Sequence, residues 1–177
     1  MRRFPIRSIA LPVAFLLLAA LTGQAGAASQ AAWKTLTPAP SPALALPDLE
    51  GKTRDLTALK GKVVLVHFWT SYCKPCRAEA PSLSRLARQL KQSGLEVLGV
   101  NVAEGVPEIQ GFIVSTGMSI PIVLDQDATT IRRWRAIAMP TTFLVDRQGQ
   151  VRARITGEAD WDAVEMAQYL APFLNGQ

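Results

Sequence analysis

The longest apolar run in the chain comes first. Ile9 to Leu21, IALPVAFLLLAAL, follows Arg2, Arg3 and Arg7 and precedes Ala25-Gly26-Ala27. A positive start, a short apolar stretch and a small-x-small end are the three parts of an export signal, with cleavage expected after Ala27. The run is about 13 residues long, short of the ~20 that span a bilayer. An uncleaved anchor, in which Thr22 to Ala28 lengthen the span, is the alternative. The residues around Arg2-Arg3 match a twin-arginine signal poorly, which favours Sec export, and no cysteine lies near the junction to carry a lipid. Residues 28–43 are rich in Pro, Ala and Ser and read as a linker or extended lead-in. That leaves residues 44–177 as one domain.

Within it the pattern alternates between strand-like and helix-like stretches. LPDLEGKTRDL carries the turn Glu50-Gly51-Lys52 between two short apolar segments and predicts a small hairpin. KVVLVHFW, residues 62–69, is β-branched and aromatic nearly throughout, as a central strand covered on both faces requires. Cys73 to Ser93 reads as a helix. Leu83, Leu86 and Leu90 fall on one side, Arg77, Arg85, Arg88 and Lys91 on the other, and Gly94 stops it. Pro81 inside it is expected to cause a kink, since it lacks an amide donor and clashes one turn back.

Residues 95–102 predict a second buried strand, 107–117 a short helix and 120–125 a third strand. ATTIRRWRAIA predicts a helix opened by Asp127 as N-cap. TTFLVD and VRARIT are strands joined by Arg147-Gln148-Gly149-Gln150. Asp160 is expected to cap a last helix over 161–174, with Val164, Ala167 and Leu170 toward the sheet. The sum is an α/β fold, a mixed sheet with helices on both faces.

Composition narrows the function little, but it excludes something. With 49% hydrophobic and 19% charged residues the chain is globular. Three of its 19 Lys and Arg lie in the leader. The remaining 16 against 14 Asp and Glu give +2, too little for a nucleic-acid-binding surface. The basic run Arg132, Arg133, Arg135 reads as a solvated face, and Trp134 and Trp161 as packing residues.

The chemistry is concentrated in FWTSYCKPCRAEAP, residues 68–81, which holds both cysteines. Three readings compete. A structural bridge is available to an exported chain, but closing a four-residue loop stabilises by only about 2 kcal/mol, and a full α/β core does not need it. A zinc clip wants four ligands, and the chain has two cysteines and the single histidine His67. A soft three-ligand copper site of Cys73, Cys76 and either His67 or Met139 remains open on ligand type alone.

The third reading is thiol–disulfide exchange, and the context favours it. The motif falls where a buried strand hands over to a helix, and free amides with the helix dipole there favour a thiolate. Lys74 and Arg77 add positive charge. Pro75 sits early in the helix, where no amide is missed. Cys73 at the tip is the expected nucleophile and Cys76 the resolving thiol.

VVLVHFWTSYCKPCRAEAP resembles the thioredoxin superfamily and, within it, the exported TlpA/ResA/DsbE-like reductases. AMPTTFLVDRQGQV resembles the cis-proline segment and hairpin, and LPDLEGKTRDLTALKGK the N-terminal hairpin. The segment 105–125 sits where this subgroup carries an inserted helix and strand. The resemblance spans about residues 44 to 174. It implies a thioredoxin-like fold with Cys73 attacking and Cys76 resolving, and no cofactor beyond that dithiol. It also implies Pro140 in a cis bond facing the disulfide, with the backbone of Met139 free to pair with an extended substrate.

Glu79 resembles the acid that this subgroup keeps beside its thiols, although a solvated helix glutamate is an equally good reading of it. Tyr72 replaces the usual Trp and should keep an aromatic cover. Lys74 should make the pair more oxidising. Trp69 should pack under the active-site loop. His67 stands where this subgroup has Asn and cytoplasmic thioredoxins a buried Asp. It reads either as a half-buried, hydrogen-bonded histidine or as a proton donor or acceptor for Cys76. The partners implied are substrate proteins with disulfides or thiols and a membrane thiol-transfer protein as electron donor, with cytochrome c or copper-site maturation as the setting. A monomer is expected, exported and either soluble or anchored outside the inner membrane. A disulfide oxidant or isomerase, or a copper metallochaperone, is the alternative.

Overall fold

A computed structural model describes residues 32–176 of the chain; the expected signal and its cleavage site lie outside the described residues. Six strands form one mixed sheet, β1 (Lys34–Pro40), β4 (Val63–Trp69), β5 (Leu95–Val102), β6 (Ile122–Asp125), β7 (Thr141–Val145) and β8 (Gln150–Thr156). Their order is β1-β8-β7-β4-β5-β6. β4, β5 and β6 run parallel, while β7 and then β8 run antiparallel to their neighbours. The hairpin expected around Gly51 is β2 (Ala45–Pro47) with β3 (Thr53–Asp55). Gly51 supplies the left-handed turn at φ 80°. This is a thioredoxin-like α/β fold.

All seven residues of β4 are buried, because helices α1 (Lys74–Leu90), α2 (Val106–Thr116) and α4 (Val164–Leu174) cover one face of the sheet. Strand alternation sends Val63, Leu65 and Trp69 into that core, with Leu83, Leu86, Phe112 and Leu170. Val64, Val66 and Phe68 go to the opposite face, where they meet Leu44, Leu56, Trp134 and Phe143. The short α3 (Thr129–Arg133) lies at that second core. His67 shares its parity with Leu65 and Trp69, so it points toward α1. Among the described residues no helix is long and apolar enough to cross a membrane.

The structure departs from the sequence pattern in four places. First, the supposed linker contains a strand. Residues 34–40 form β1, antiparallel to β8 with a register break between Thr35 and Ala39. Its prolines Pro38 and Pro40 are compatible with an edge strand, where a missing donor goes unnoticed. Ahead of β1, Trp33 stacks on Tyr169 at 5.1 Å and meets Trp161 edge-on at 6.1 Å.

Second, α1 continues through Pro81 but ends at Leu90, short of the expected Ser93. Third, the helix expected after Asp127 is five residues long. Asp127 bonds the amide of Thr129, while the carboxylate of Asp125 takes the amides of Thr130 and Ile131. Left-handed Ala128 and Arg135 bound the helix on either side. Fourth, Asp160 forms a turn on the amide of Asp162, and α4 starts only at Val164. Its sheet-facing residues are Met166, Leu170 and Leu174, whereas Val164 is 61% exposed and Ala167 is also on the surface.

The aromatic stack makes the lead-in part of the fold. Trp33→Ala is expected to lower stability by about 2 kcal/mol in urea unfolding. An unchanged midpoint would mean that the segment before β1 does not anchor to α4.

Candidate active site

β4 delivers the chain at Trp69 to a short turn, and the turn ends at Cys73, the N-cap of α1. Its Sγ accepts the amide of Cys76 at 3.2 Å, and its carbonyl accepts the amide of Arg77 at 3.1 Å. Cys73 and Cys76 are joined in a disulfide. The two sulfurs are not equivalent. Cys73 is half-buried at the tip, whereas Cys76, one turn in, is 1% exposed. Lys74 and Pro75 are exposed in the first turn, where Pro75 forfeits no helical hydrogen bond.

The neighbouring strand brings a second element. The register pairs Phe68 with Thr141 and His67 with Thr142, so Pro140 lies level with the end of β4. The Met139–Pro140 bond is cis. The carbonyl of Pro140 accepts the amide of Gly157 at 2.8 Å. Among the described residues no backbone hydrogen bond engages Met139. Pro140 is buried and Met139 half-buried.

Beneath the disulfide lies a buried pair that the sequence pattern did not join. His67 is 1% and Glu79 2% exposed. Nδ1 of His67 is 2.9 Å from Oγ1 of Thr142, and its Nε2 is 3.6 Å from Oε1 of Glu79. Oε2 of Glu79 accepts the amide of Ala159 at 2.8 Å. Burial removes hydration from both groups and so favours the neutral form of each. It pushes His67 down to about 3.

Burial likewise pushes Glu79 up to about 8, against the pull of the Ala159 amide and the nearby Trp161 indole, and with help from the charge of Glu158. That indole makes no geometrically sound hydrogen bond, nor does Oε1 of Glu79, so the desolvation is not relieved there. At neutral pH the pair is therefore a carboxylic acid beside a neutral imidazole. Glu79 lies three residues after Cys76, on the same helix face.

Several expectations change here. Glu79 is not solvated, and His67 is wholly rather than half-buried. Tyr72 is 76% exposed and covers nothing. Trp69 packs as expected, fully buried in the cluster that contains Cys76, with Phe112 at 4.4 Å. Trp134 and Trp161 are core residues. Among the described residues no three His, Cys, Asp or Glu side chains are grouped to hold a metal. His67, engaged by Thr142 and facing Glu79, does not join the two cysteines in a ligand set. Sequence reasoning missed Glu104, whose carboxylate takes the amide and hydroxyl of Ser71. A glutamate in a loop after a strand carries no signal of such a contact.

The buried pair sets a pH profile for stability. His67 stays neutral in the fold down to about pH 3 but protonates near 6.5 when unfolded, so stability is lost as pH falls below about 6.5. Glu79 stays protonated in the fold up to about pH 8 but ionises near 4.5 when unfolded, so stability is lost as pH rises above about 4.5. Between 4.5 and 6.5 the two trends cancel. Unfolding midpoints of the oxidised protein are expected to plateau there and decline on both sides. Glu79→Gln should remove the alkaline decline and His67→Gln the acid one. A wild-type profile in Glu79→Gln would contradict the buried acid.

The AhpC/TSA family model matches residues 37–154. The chain is 38% identical over 117 residues to the thiol-disulfide oxidoreductase ResA of Geobacillus thermodenitrificans, covering 66% of this chain and 67% of that one. It is 35% identical over 125 residues to ResA of Geobacillus kaustophilus, covering 71% and 72%. Among solved structures, a DsbE-type thiol:disulfide interchange protein of Chlorobium tepidum superposes with a TM-score of 0.73 at 28% identity, over 80% of this chain and 99% of the other. A Neisseria meningitidis protein described as a thioredoxin superposes with a TM-score of 0.68 at 26% identity, over 77% and 91%. Sequence and architecture agree that the chain belongs to the AhpC/TSA family of thioredoxin-fold proteins and is a thiol–disulfide oxidoreductase similar to ResA.

Proposed function

We propose that the protein is an exported reductase of protein disulfides. The observation that carries this reading is the asymmetry of the pair, with Cys73 open at the helix tip and Cys76 sealed behind it. Starting from the dithiol, the Cys73 thiolate attacks one sulfur of a client disulfide. A mixed disulfide forms, and the other client sulfur leaves as a thiolate that takes a proton from water. Cys76 then gives up its proton, and its sulfur attacks Sγ of Cys73. The client's second thiolate leaves, the client has gained two electrons, and Cys73–Cys76 is oxidised. Glu79, one turn beyond Cys76, is the buried group that would take the Cys76 proton, and it does so only in its ionised form, the minor one at neutral pH for a group titrating near 8.

Electrostatics supports the reductive direction. A strongly stabilised thiolate makes an oxidant. Here the guanidinium of Arg77 is shared among Oγ of Ser115, the face of Phe112 and the carbonyl of Ser71, and the carboxylate of Glu104 lies against the turn before Cys73. Lys74 pulls the other way, from an exposed position where screening weakens it. An extended client can pair with the free backbone of Met139. The electron donor is a membrane thiol-transfer protein, and the client an apocytochrome c or a copper-site protein, as the resemblance to this subgroup implies. Export rests on the leader pattern at residues 1–27.

Insulin-disulfide reduction tests the assignment. Cys73→Ser should fall to background, and Cys76→Ser should accumulate a covalent mixed disulfide with the client. In the reduced protein Cys73 should be alkylated before Cys76 at neutral pH. Equal reduction by wild type and Cys73→Ser would refute the enzyme reading, and preferential labelling of Cys76 would refute the two roles.

A further inference from the structure

The turn that carries Cys73 is held from outside its own strand and helix. Ser71, two residues before the cysteine, is gripped at three points. Its amide donates to Oε2 of Glu104 at 2.7 Å, and its hydroxyl donates to Oε1 of the same carboxylate at 2.5 Å. Its carbonyl accepts from Nη2 of Arg77 at 3.2 Å, and Nη1 of that arginine reaches Oγ of Ser115 on α2. Glu104 is itself aimed. Nδ2 of buried Asn101, at the end of β5, donates to its Oε2 at 2.7 Å. Ala103 adopts a left-handed conformation at φ 57°, which a residue with a Cβ seldom takes, and this turns the chain directly before Glu104. A bidentate, charge-assisted contact onto one residue of a catalytic turn is stronger and more directional than a neutral one.

We propose that Glu104 is a positioning residue for Cys73. By holding Ser71 it fixes the turn from which the attacking sulfur projects, and its negative charge restrains the acidity of that thiol. The proposal rests on the assignment of Cys73 as the attacking cysteine.

The charged residues flanking Cys73 on its own helix are Lys74 and Arg77, and α2, which supplies Ser115 to Arg77, carries Glu108 in its first turn. Met139 and Pro140, from the β7 side, carry none, and Glu79 and His67 beneath are neutral at pH 7. Arg77 keeps its charge while it binds Ser115 and Ser71, so Glu104 opposes Lys74 and Arg77 together. Glu104 thus has two separable effects, one carried by its hydrogen bonds and one by its charge.

Glutamine separates them. Its carbonyl oxygen can still accept from the Ser71 and Asn101 N–H groups, and its amide can donate to the Ser71 hydroxyl. In the reduced protein, Glu104→Gln should lower the Cys73 pKa, read from the pH dependence of iodoacetamide alkylation. A shift of about half a unit is expected, a roughly threefold faster alkylation below the pKa. Glu104→Ala should lower the pKa similarly but reduce turnover about tenfold relative to Gln, because the turn is released.

Ser71→Ala removes only the hydroxyl contact and keeps the test open if Glu104→Ala does not fold. It should slow turnover severalfold at an unchanged Cys73 pKa. A wild-type pKa in Glu104→Gln would overturn the charge effect. Equal turnover of the Ala and Gln variants, or an unaffected Ser71→Ala, would overturn the latch. Failure of the wild-type protein to reduce insulin would instead count against the reductase reading, and the alkylation profiles would still decide the role of Glu104.

Discussion

Burial of β4 on both faces is the constraint on which the site depends. A strand covered above and below cannot slide or tilt without opening one of two cores, since a shift of one residue would exchange every side chain between them. Its end at Trp69 is therefore fixed, and with it the start of α1 and the height at which Cys73 emerges. The same constraint seats the second element. β7 is registered on β4 through Phe68 and His67, which brings Pro140 level with the end of β4, where the turn to Cys73 begins, although it is far along the chain. The reacting pair thus stands on rigid supports, while its attacking side is open to a client.

The burial that fixes the geometry also determines the protonation beneath it. His67 lies on the α1 face of β4 because of strand alternation, and Glu79 faces it because it is three residues after Cys76 on the inner side of α1. Neither can keep a charge there cheaply, since desolvation penalises both ions. The result is a neutral acid and a neutral base between α1 and β4, one turn past Cys76. On the outer side the balance is different. Lys74, Arg77 and Glu104 are partly hydrated, and their influence on Cys73 is set by which of them is tied up elsewhere.

Much of this was legible in the sequence, for identifiable reasons. The β-branched run at 63–69, the Gly51 and Gly149 turns and the two cysteines at a strand-to-helix junction are local signals, and each maps to a local structure. Trp69, buried in the cluster with Cys76, agrees with its place next to the motif, and the cis bond at Pro140 agrees with the resemblance that implied it. What stayed hidden was non-local. β1 is stabilised by pairing with β8 and by the stacking of Trp33 on Tyr169, neither of which a proline-rich composition reveals. Asp160 and Asp127 look like caps in sequence, but each carboxylate bonds only the residue two further on, in a local turn ahead of its helix. Tyr72 reads as a cover, yet the turn directs it into solvent. Glu79 read equally as a solvated helix glutamate and as the acid the resemblance implied, and its burial against His67 of β4 removes the first reading. Glu104 gave no signal because its value lies in reaching Ser71 across the fold.

Thioredoxin-fold dithiols span reduction potentials from about −270 mV to about −120 mV, some 7 kcal/mol for two electrons, so the motif alone leaves the direction of transfer open. We propose the reducing end for this protein, because exposed Lys74 is screened and the carboxylate of Glu104 stands against the turn that carries Cys73. Equilibration of the Cys73–Cys76 pair with glutathione redox buffers measures this directly. A potential toward −270 mV is the predicted result. A value near −120 mV, that of a strong oxidant, would contradict it.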